Sequence, residues 1–387
     1  MEKNMVFISN GTKPTEDEAN YIGEEKVTSF ASASINAAIT LGYAPLIGVN
    51  RNFPQNLTCE LPVEFFKAEI FRNPFKLNEI SKAYKNVVEV IRKKSPEFIH
   101  CNTPIGGLIG RIAGEKCGIK KVIYQAHGFH FYKGAPLLNW LIYYPIEKWL
   151  AKRTDALITI NKEDFELAKQ RFKLRNNGRV YYVPGVGINL TQYTGEKLSN
   201  DMLKKSLNIN EDDFVLISMG DLVKRKNYST AIEAIAKANN HKIKYIICGR
   251  GPEMENLKQL SEKLNVQDQV IFLGFRTDTK ELMKIADAFL FTTLQEGLPR
   301  SMMEAMASGL PCIASKIRGN VDLIQDGVGG FLCDATNVDE FTMAIQRIIA
   351  DAELRSRMSK NNLERIKDFD ISVVEKEIRQ IYIEVLQ

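Results

Sequence analysis

Short runs rich in β-branched and aromatic residues alternate with longer stretches of helical apolar spacing almost from end to end of this chain. That rhythm leads to parallel sheets covered by helices on both faces, an α/β fold. In the first half the strand-like runs fall at 6–9, 44–49, 98–102, 122–126, 156–160 and 180–183. Helical patterns occupy 24–41, 77–93, 105–116, 136–151 and 162–171. A second series of strands starts after a break, at 214–219, 244–248, 270–273, 288–292, 312–315 and 330–333. Between the two series lie Pro184-Gly185-Val186-Gly187 and a polar, turn-rich stretch, 191–210. Residues 1–188 are therefore expected to form one doubly wound, Rossmann-like domain and 189–370 a second. Residues 371–387 read as an amphipathic helix packing back toward the first domain. Two such domains are expected to face each other across a cleft, with the carboxyl ends of both sheets at its walls.

A chain of 387 residues suits two cores better than one. The balance of 52 Lys and Arg against 47 Asp and Glu gives +5, too mild for a dedicated nucleic-acid binder. Six cysteines, Cys59, Cys101, Cys117, Cys248, Cys312 and Cys333, stand apart without a CxxC pair and suggest reduced thiols and a cytoplasmic protein. The chain carries neither a signal-peptide pattern nor a run of 18 apolar residues. Four scattered histidines and no cysteine cluster give no basis for a metal site. The string Asp368-Phe369-Asp370 lies far from the other motifs and reads as a cap or turn. No cofactor is called for.

The stretch Glu296-Gly297-Leu298-Pro299-Arg300-Ser301-Met302-Met303-Glu304 follows a strand and opens a helix. Gly297 is expected to adopt an unusual backbone angle, Pro299 suits a helix start, and the first amides of that helix favour an anion. Glu296 in the turn and Glu304 on the helix offer two carboxylates to a polyhydroxylated ligand bearing phosphate, such as a sugar nucleotide. The plainer alternative makes Glu296 a cap and Glu304 a solvated residue. The small apolar run Ala305-Met306-Ala307-Ser308-Gly309 argues for a packed Glu304.

EGLPRSMMEAMASGLPCIAS, residues 296–315, resembles the signature of retaining glycosyltransferase family 4, two glutamates separated by seven residues. The resemblance extends in order through KRKN at 224–227, CGRGPEMENL at 248–257 and IRGNVDLIQDGVGGFL at 317–332. AHGFHFYKGAP at 126–136 resembles bacterial exopolysaccharide and capsule glycosyltransferases. The family implies a GT-B fold, a nucleotide-sugar donor held by the second domain and an acceptor held by the first. It further implies metal-independent transfer with retention, from a UDP-sugar to a glycan or lipid-linked saccharide in surface polysaccharide synthesis. A sugar-nucleotide epimerase of the same fold and a non-catalytic nucleotide-sugar-binding subunit remain as alternatives.

By the same resemblance Glu304 contacts the ribose hydroxyls, Glu296 the donor-sugar hydroxyls, and Gly297 with the amides near Leu298 helps to hold the donor. Lys226 and Arg225, after the strand at 214–219, are suited to stabilise a departing diphosphate. A solvated basic turn is their plainer alternative. The family usually has Arg directly after the glycine ending that strand, whereas here Asp221 follows Gly220. Arg225 is then the cation available to replace it. His127 ends a strand where a sugar hydroxyl or a developing charge is expected, although a structural histidine is the commoner case and His130 competes. Gly249 and Arg250, in the turn Gly249-Arg250-Gly251-Pro252, suit packing on the nucleotide or form an ordinary strand-to-helix turn. Gly11 and Gly23 flank a polar loop that either approaches phosphate or acceptor or lies on the surface.

Residues 129–153 mix Phe131, Tyr132, Trp140, Tyr143, Tyr144 and Trp149 with Lys133, Lys148, Lys152 and Arg153. That composition fits peripheral contact with the inner face of a cell membrane through aromatic rings and cations, and equally a buried aromatic helix.

Overall fold

A computed structural model describes residues 3–9, 31–49, 62–71, 73–193 and 201–387. The chain divides into two compact units, Met1–Gly187 with Ile371–Gln387, and Ile188–Asp370.

The first unit is built on β1 (Lys3–Ile8), β2 (Tyr43–Val49), β3 (Glu64–Lys67), β4 (Phe98–Asn102), β5 (Lys121–Ala126), β6 (Ala156–Thr159) and β7 (Arg179–Tyr182). They form one parallel sheet in the order β3-β2-β1-β4-β5-β6-β7. The central strand β4, FIHCN, is buried at every position, as expected for a parallel strand covered on both faces. The edge strand β3, EFFK, is half-exposed and was absent from the sequence expectation. Its short run gives no alternation long enough to recognise.

One face of this sheet is covered by the helix Pro104–Lys116, which lies close because Gly107, Gly110 and Gly114 sit against it. A Cβ there would lie 2.3 Å from the Tyr124 ring, 2.6 Å from Cys101 and 2.7 Å from Val122, respectively. The other face is covered by the helices Ser32–Thr40 and Ile371–Leu386. The latter buries Val374, Ile378, Ile381, Tyr382 and Val385, spaced as one helical stripe.

The second unit carries β8 (Phe214–Met219), β9 (Ile243–Cys248), β10 (Val270–Gly274), β11 (Ala288–Phe291), β12 (Cys312–Ser315) and β13 (Gly330–Cys333). Its sheet is also parallel, in the order β10-β9-β8-β11-β12-β13. Its core joins Leu216, Tyr245, Ile247 and Leu290 to Ile232 and Ile235 of the helix Tyr228–Ala238 and Phe341 and Ile345 of Val338–Ala350. The polar, turn-rich stretch 191–210 contains the short helix Asp201–Ser206, which buries none of its residues. Asp370 accepts from the Leu190 amide at 3.4 Å, and Asp368 pairs with Arg365 at 2.5 Å.

The helix Leu137–Ala151 turns its aromatics and its aliphatics opposite ways. Trp140, Tyr143 and Tyr144 pack against the core beside buried Phe131, and the Trp140 indole donates to the Tyr132 carbonyl at 3.2 Å. Leu137, Leu138, Leu141, Ile142, Ile146 and Trp149 face outward. Of the two expected placements of these rings the buried one holds for most: Trp149 alone of the named tryptophans and tyrosines on this helix is exposed, and the outer stripe is mainly aliphatic. Glu147 turns inward to the buried Arg111 guanidinium, bonding its Nη1 and Nη2 at 2.8 and 3.1 Å.

Candidate functional site

In the second unit, the turn after β8 and the turn after β11 are stitched together. The Arg225 carbonyl accepts from the Leu294 amide at 2.8 Å and from Thr293 Oγ1 at 3.2 Å. Asn227, in the left-handed region at φ +53°, donates to the carbonyls of Thr292 and Ala335 at 3.1 and 2.9 Å. This lacing fixes the backbone from which the functional side chains project.

Those side chains converge on Glu296. Lys226 Nζ lies 2.7 Å from Glu296 Oε1, Arg225 Nη1 lies 3.2 Å from the same oxygen, and Thr293 Oγ1 donates to it at 3.0 Å. Lys226 is 10% exposed and sits 4.8 Å from the centroid of the Phe291 ring, while Arg225 is 49% exposed and also donates to the Gln295 carbonyl. An ammonium has three donors, and the Glu296 contact uses one of them. The carboxylate thus fixes the cation and lowers the local positive charge without exhausting its hydrogen-bonding capacity.

Glu304 stands on the helix Arg300–Ala307, whose N-cap is Pro299 and which has no side-chain cap. Its carboxylate accepts from Arg300 Nε at 3.0 Å, one helical turn back. Burial pushes the Glu304 pKa above the usual carboxylate value, against the opposing pull of Arg300, Lys280 and Tyr193. Such a group favours folding when protonated, so its contribution is present below its unfolded pKa and is lost as pH rises through its folded pKa. Keeping a carboxylate in this setting is unfavourable for stability alone.

Gly297 does not adopt a positive φ; the left-handed glycine beside it is Gly319, at φ +83°. A Cβ on Gly319 would lie 2.3 Å from the Gly297 carbonyl oxygen, so the special backbone requirement sits on the opposing loop. Arg318 on that loop is buried and donates from Nε to the Glu296 carbonyl at 3.1 Å. Nothing in the sequence singled out Thr293 or Arg318, although Arg318 lies within the block 317–332 that resembles the family. Leu298 is buried at the start of the helix. Gly249 packs on the turn after β8, where a Cβ would meet the Gly220 carbonyl oxygen at 1.9 Å. Arg250 beside it is exposed, 6.0 Å from the Phe275 ring centroid.

His127 belongs to the first unit, directly after β5, and is partly buried; the pKa of His100 is lowered chiefly by its own burial and further by His127. His130 instead stacks on Tyr143 at 4.6 Å, and its carbonyl accepts from Asn139. Gly11 and Gly23 lie outside the described residues.

Residues 199–365 match the glycosyl transferases group 1 family, and residues 56–161 match glycosyl transferase 4-like proteins. A putative glycosyltransferase, EpsD of Bacillus subtilis, is 34% identical over 324 residues, covering 82% of this chain and 84% of that protein. The chain belongs to the group 1 glycosyltransferases. A second relative of this glycosyltransferase is the Escherichia coli UDP-Gal:alpha-D-GlcNAc-diphosphoundecaprenol alpha-1,3-galactosyltransferase, 28% identical over 83% of this chain and 84% of the relative. Among solved structures, Anabaena HepE in complex with UDP and glucose superimposes with a TM-score of 0.77 at 21% identity, covering 99% of this chain and 100% of that one. The glycosyltransferase therefore has the GT-B fold of two parallel-sheet, Rossmann-like domains.

Proposed function

We propose that this glycosyltransferase moves a hexose from a UDP-sugar to a glycan or lipid-linked saccharide in surface polysaccharide synthesis, with retention and without a metal. The observation that carries the proposal is the convergence of Lys226, Arg225 and Thr293 on Glu296, beside an uncapped helix start and the half-buried Glu304. The second unit holds the donor: Glu304 takes the ribose hydroxyls, Glu296 the sugar hydroxyls, and Gly297, Leu298, Gly249 and Arg250 shape the nucleotide's surroundings. The bond from the anomeric carbon to the diphosphate breaks as the acceptor oxygen bonds to that carbon on the same face. The acceptor proton passes to the diphosphate, whose developing charge Lys226 and Arg225 stabilise. Arg225 supplies the phosphate contact that Asp221 cannot. The first unit takes the acceptor, with His127 on a saccharide hydroxyl. HepE, crystallised with UDP-glucose, and the galactosyltransferase relative with a diphosphoundecaprenol-linked acceptor support these choices of donor and acceptor.

Release of UDP from a panel of UDP-sugars, with and without an undecaprenyl-diphosphate-linked saccharide, tests the proposal. Release with one donor that rises at least tenfold on adding acceptor is expected. Equal release without acceptor favours the epimerase, and binding without release favours the binding subunit.

The protein works at the cytoplasmic face of the membrane, held there by the helix Leu137–Ala151. Among the described residues no helix is long and apolar enough to cross a membrane. Leu138, Ile142 and Ile146 form one outward row at i, i+4 spacing, with Leu137, Leu141 and Trp149 beside it. Lys133, Lys148 and Lys152 are exposed around this stripe, while Glu147 and Glu115 are paired with Arg111 and Arg153 and Glu163 accepts from the Lys133 amide. An apolar stripe fringed by cations suits an anionic bilayer surface. Flotation with phosphatidylglycerol vesicles is expected to carry the wild type upward. Leu138→Glu with Leu141→Glu should reduce the bound fraction at least tenfold with Tm unchanged. Equal flotation of both proteins would exclude this face.

A further inference from the structure

The sheets of the two units share one plan, in which the first strand of each lies centrally and the strand order reverses beside it. In the second sheet the reversal falls between β8 and β11, whose following turns carry Lys226 and Glu296. In the first sheet it falls between β1 and β4. Open parallel sheets take ligands outside the carboxyl ends of their strands at such a reversal.

At that place β4 ends in Asn102, which is 0% exposed. Among the described residues neither its Oδ1 nor its Nδ2 has a hydrogen-bond partner. The next residue, Thr103, is β-branched yet held at φ +62°. Alternation along β4 puts Asn102 on the sheet face of Phe98 and His100, the face covered by the helix Ile371–Leu386. Elsewhere this face is apolar, with Met5, Phe7, Ile123, Ala156 and Ile158. Around Asn102 it is polar. Buried Gln125 stands beside Asn102 in the register of β5, and His127 follows the end of that strand. His100 Nδ1 lies 2.6 Å from the Tyr382 hydroxyl, and burial brings the His100 pKa down to about 3.

Leaving a buried polar group without a partner is unfavourable, because it forfeits the hydrogen bonds the group makes with water. An apolar side chain of the same shape would avoid that cost, so the amide needs a partner in the working protein. We propose that Asn102 is a saccharide-binding residue, whose amide accepts from and donates to acceptor hydroxyls at the carboxyl end of β4. An amide presents a donor and an acceptor side by side, which matches the dual character of hydroxyls on neighbouring sugar carbons. The proposal rests on the assignment of the acceptor to the first unit and goes beyond it by naming the residue that reads the acceptor.

The test uses the full-length protein with methyl α-glycosides of glucose, galactose and N-acetylglucosamine, observed by saturation-transfer NMR. UDP affinity and thermal unfolding are measured alongside. The wild type should bind at least one glycoside. Asn102→Leu should weaken that binding at least tenfold, with UDP affinity unchanged and Tm equal to or above that of the wild type. If the leucine variant does not fold, Asn102→Ser reads the same affinity. Absence of glycoside binding by the wild type, or unaltered binding by a folded variant, overturns the proposal. A fall in Tm with binding intact also overturns it, because it assigns the amide to structure alone. Loss of UDP binding in the wild type would strike the donor assignment to the second unit, and the glycoside measurement would still decide Asn102.

Discussion

Lys226→Ala lowers the acceptor-dependent rate of UDP release by about 10²–10³-fold, the usual loss when one preorganised donor to developing charge is removed. Lys226 is mostly buried, fixed at 2.7 Å from Glu296 and set over the Phe291 ring, so it has little reorganisation to undergo when the diphosphate leaves. Arg225 reaches the same carboxylate at 3.2 Å but is half-exposed, and water screens its charge. Arg225→Ala should therefore reduce turnover by a smaller factor, about tenfold, and mainly through kcat. Single-turnover and steady-state kinetics on both variants check this. If the lysine change alone reduces turnover, Arg225 does not replace the arginine absent at Asp221. If neither does, the second unit holds the diphosphate elsewhere.

Glu147→Ala destabilises the first unit by about 3–5 kcal/mol, the range for removing one partner of a buried ion pair. Arg111 is 1% exposed, donates two hydrogen bonds to the Glu147 carboxylate, and stacks 3.8 Å from the centroid of the Tyr124 ring. Its Nε also donates to the Gly107 carbonyl, so the guanidinium joins the helix Pro104–Lys116 to the helix Leu137–Ala151. Without Glu147 that charge stays buried with no opposite charge beside it. Replacing both partners, Arg111→Met with Glu147→Leu, should recover most of the loss, because the cost lies in the unpaired charge. Urea unfolding followed by circular dichroism measures both. A loss below about 1 kcal/mol in Glu147→Ala would mean that water reaches the guanidinium.

Strands buried on both faces were the most legible part of the fold. The runs at 98–102, 214–219 and 312–315 coincide with observed strands that are buried over nearly their whole length and are therefore mostly apolar. β3 escaped notice because an edge strand needs only partial burial, and Glu64 and Lys67 at its ends are exposed. Helical spacing located the helix Leu137–Ala151 but left open which of its faces is outermost. Its aromatics and aliphatics both recur at helical intervals, and only the packing of Phe131, Trp140 and Tyr144 against the sheet decides which set is inside.

The sequence by itself determined the α/β class, the two series of strands and helices, and the residue types from which a sugar-nucleotide site can be built. These follow from periodicity and turn chemistry, which act over a few residues. Tertiary structure decided that Lys226 and Glu296, 70 residues apart, share one ion pair, and that Arg318 and Gly319 close on the turn at Gly297. It likewise decided that Asn102 ends β4 without a partner among the described residues while Glu147 turns away from solvent. These contacts depend on β8 lying beside β11 and β1 beside β4. Strand order is set by packing many elements into one sheet, and no local stretch of sequence carries it.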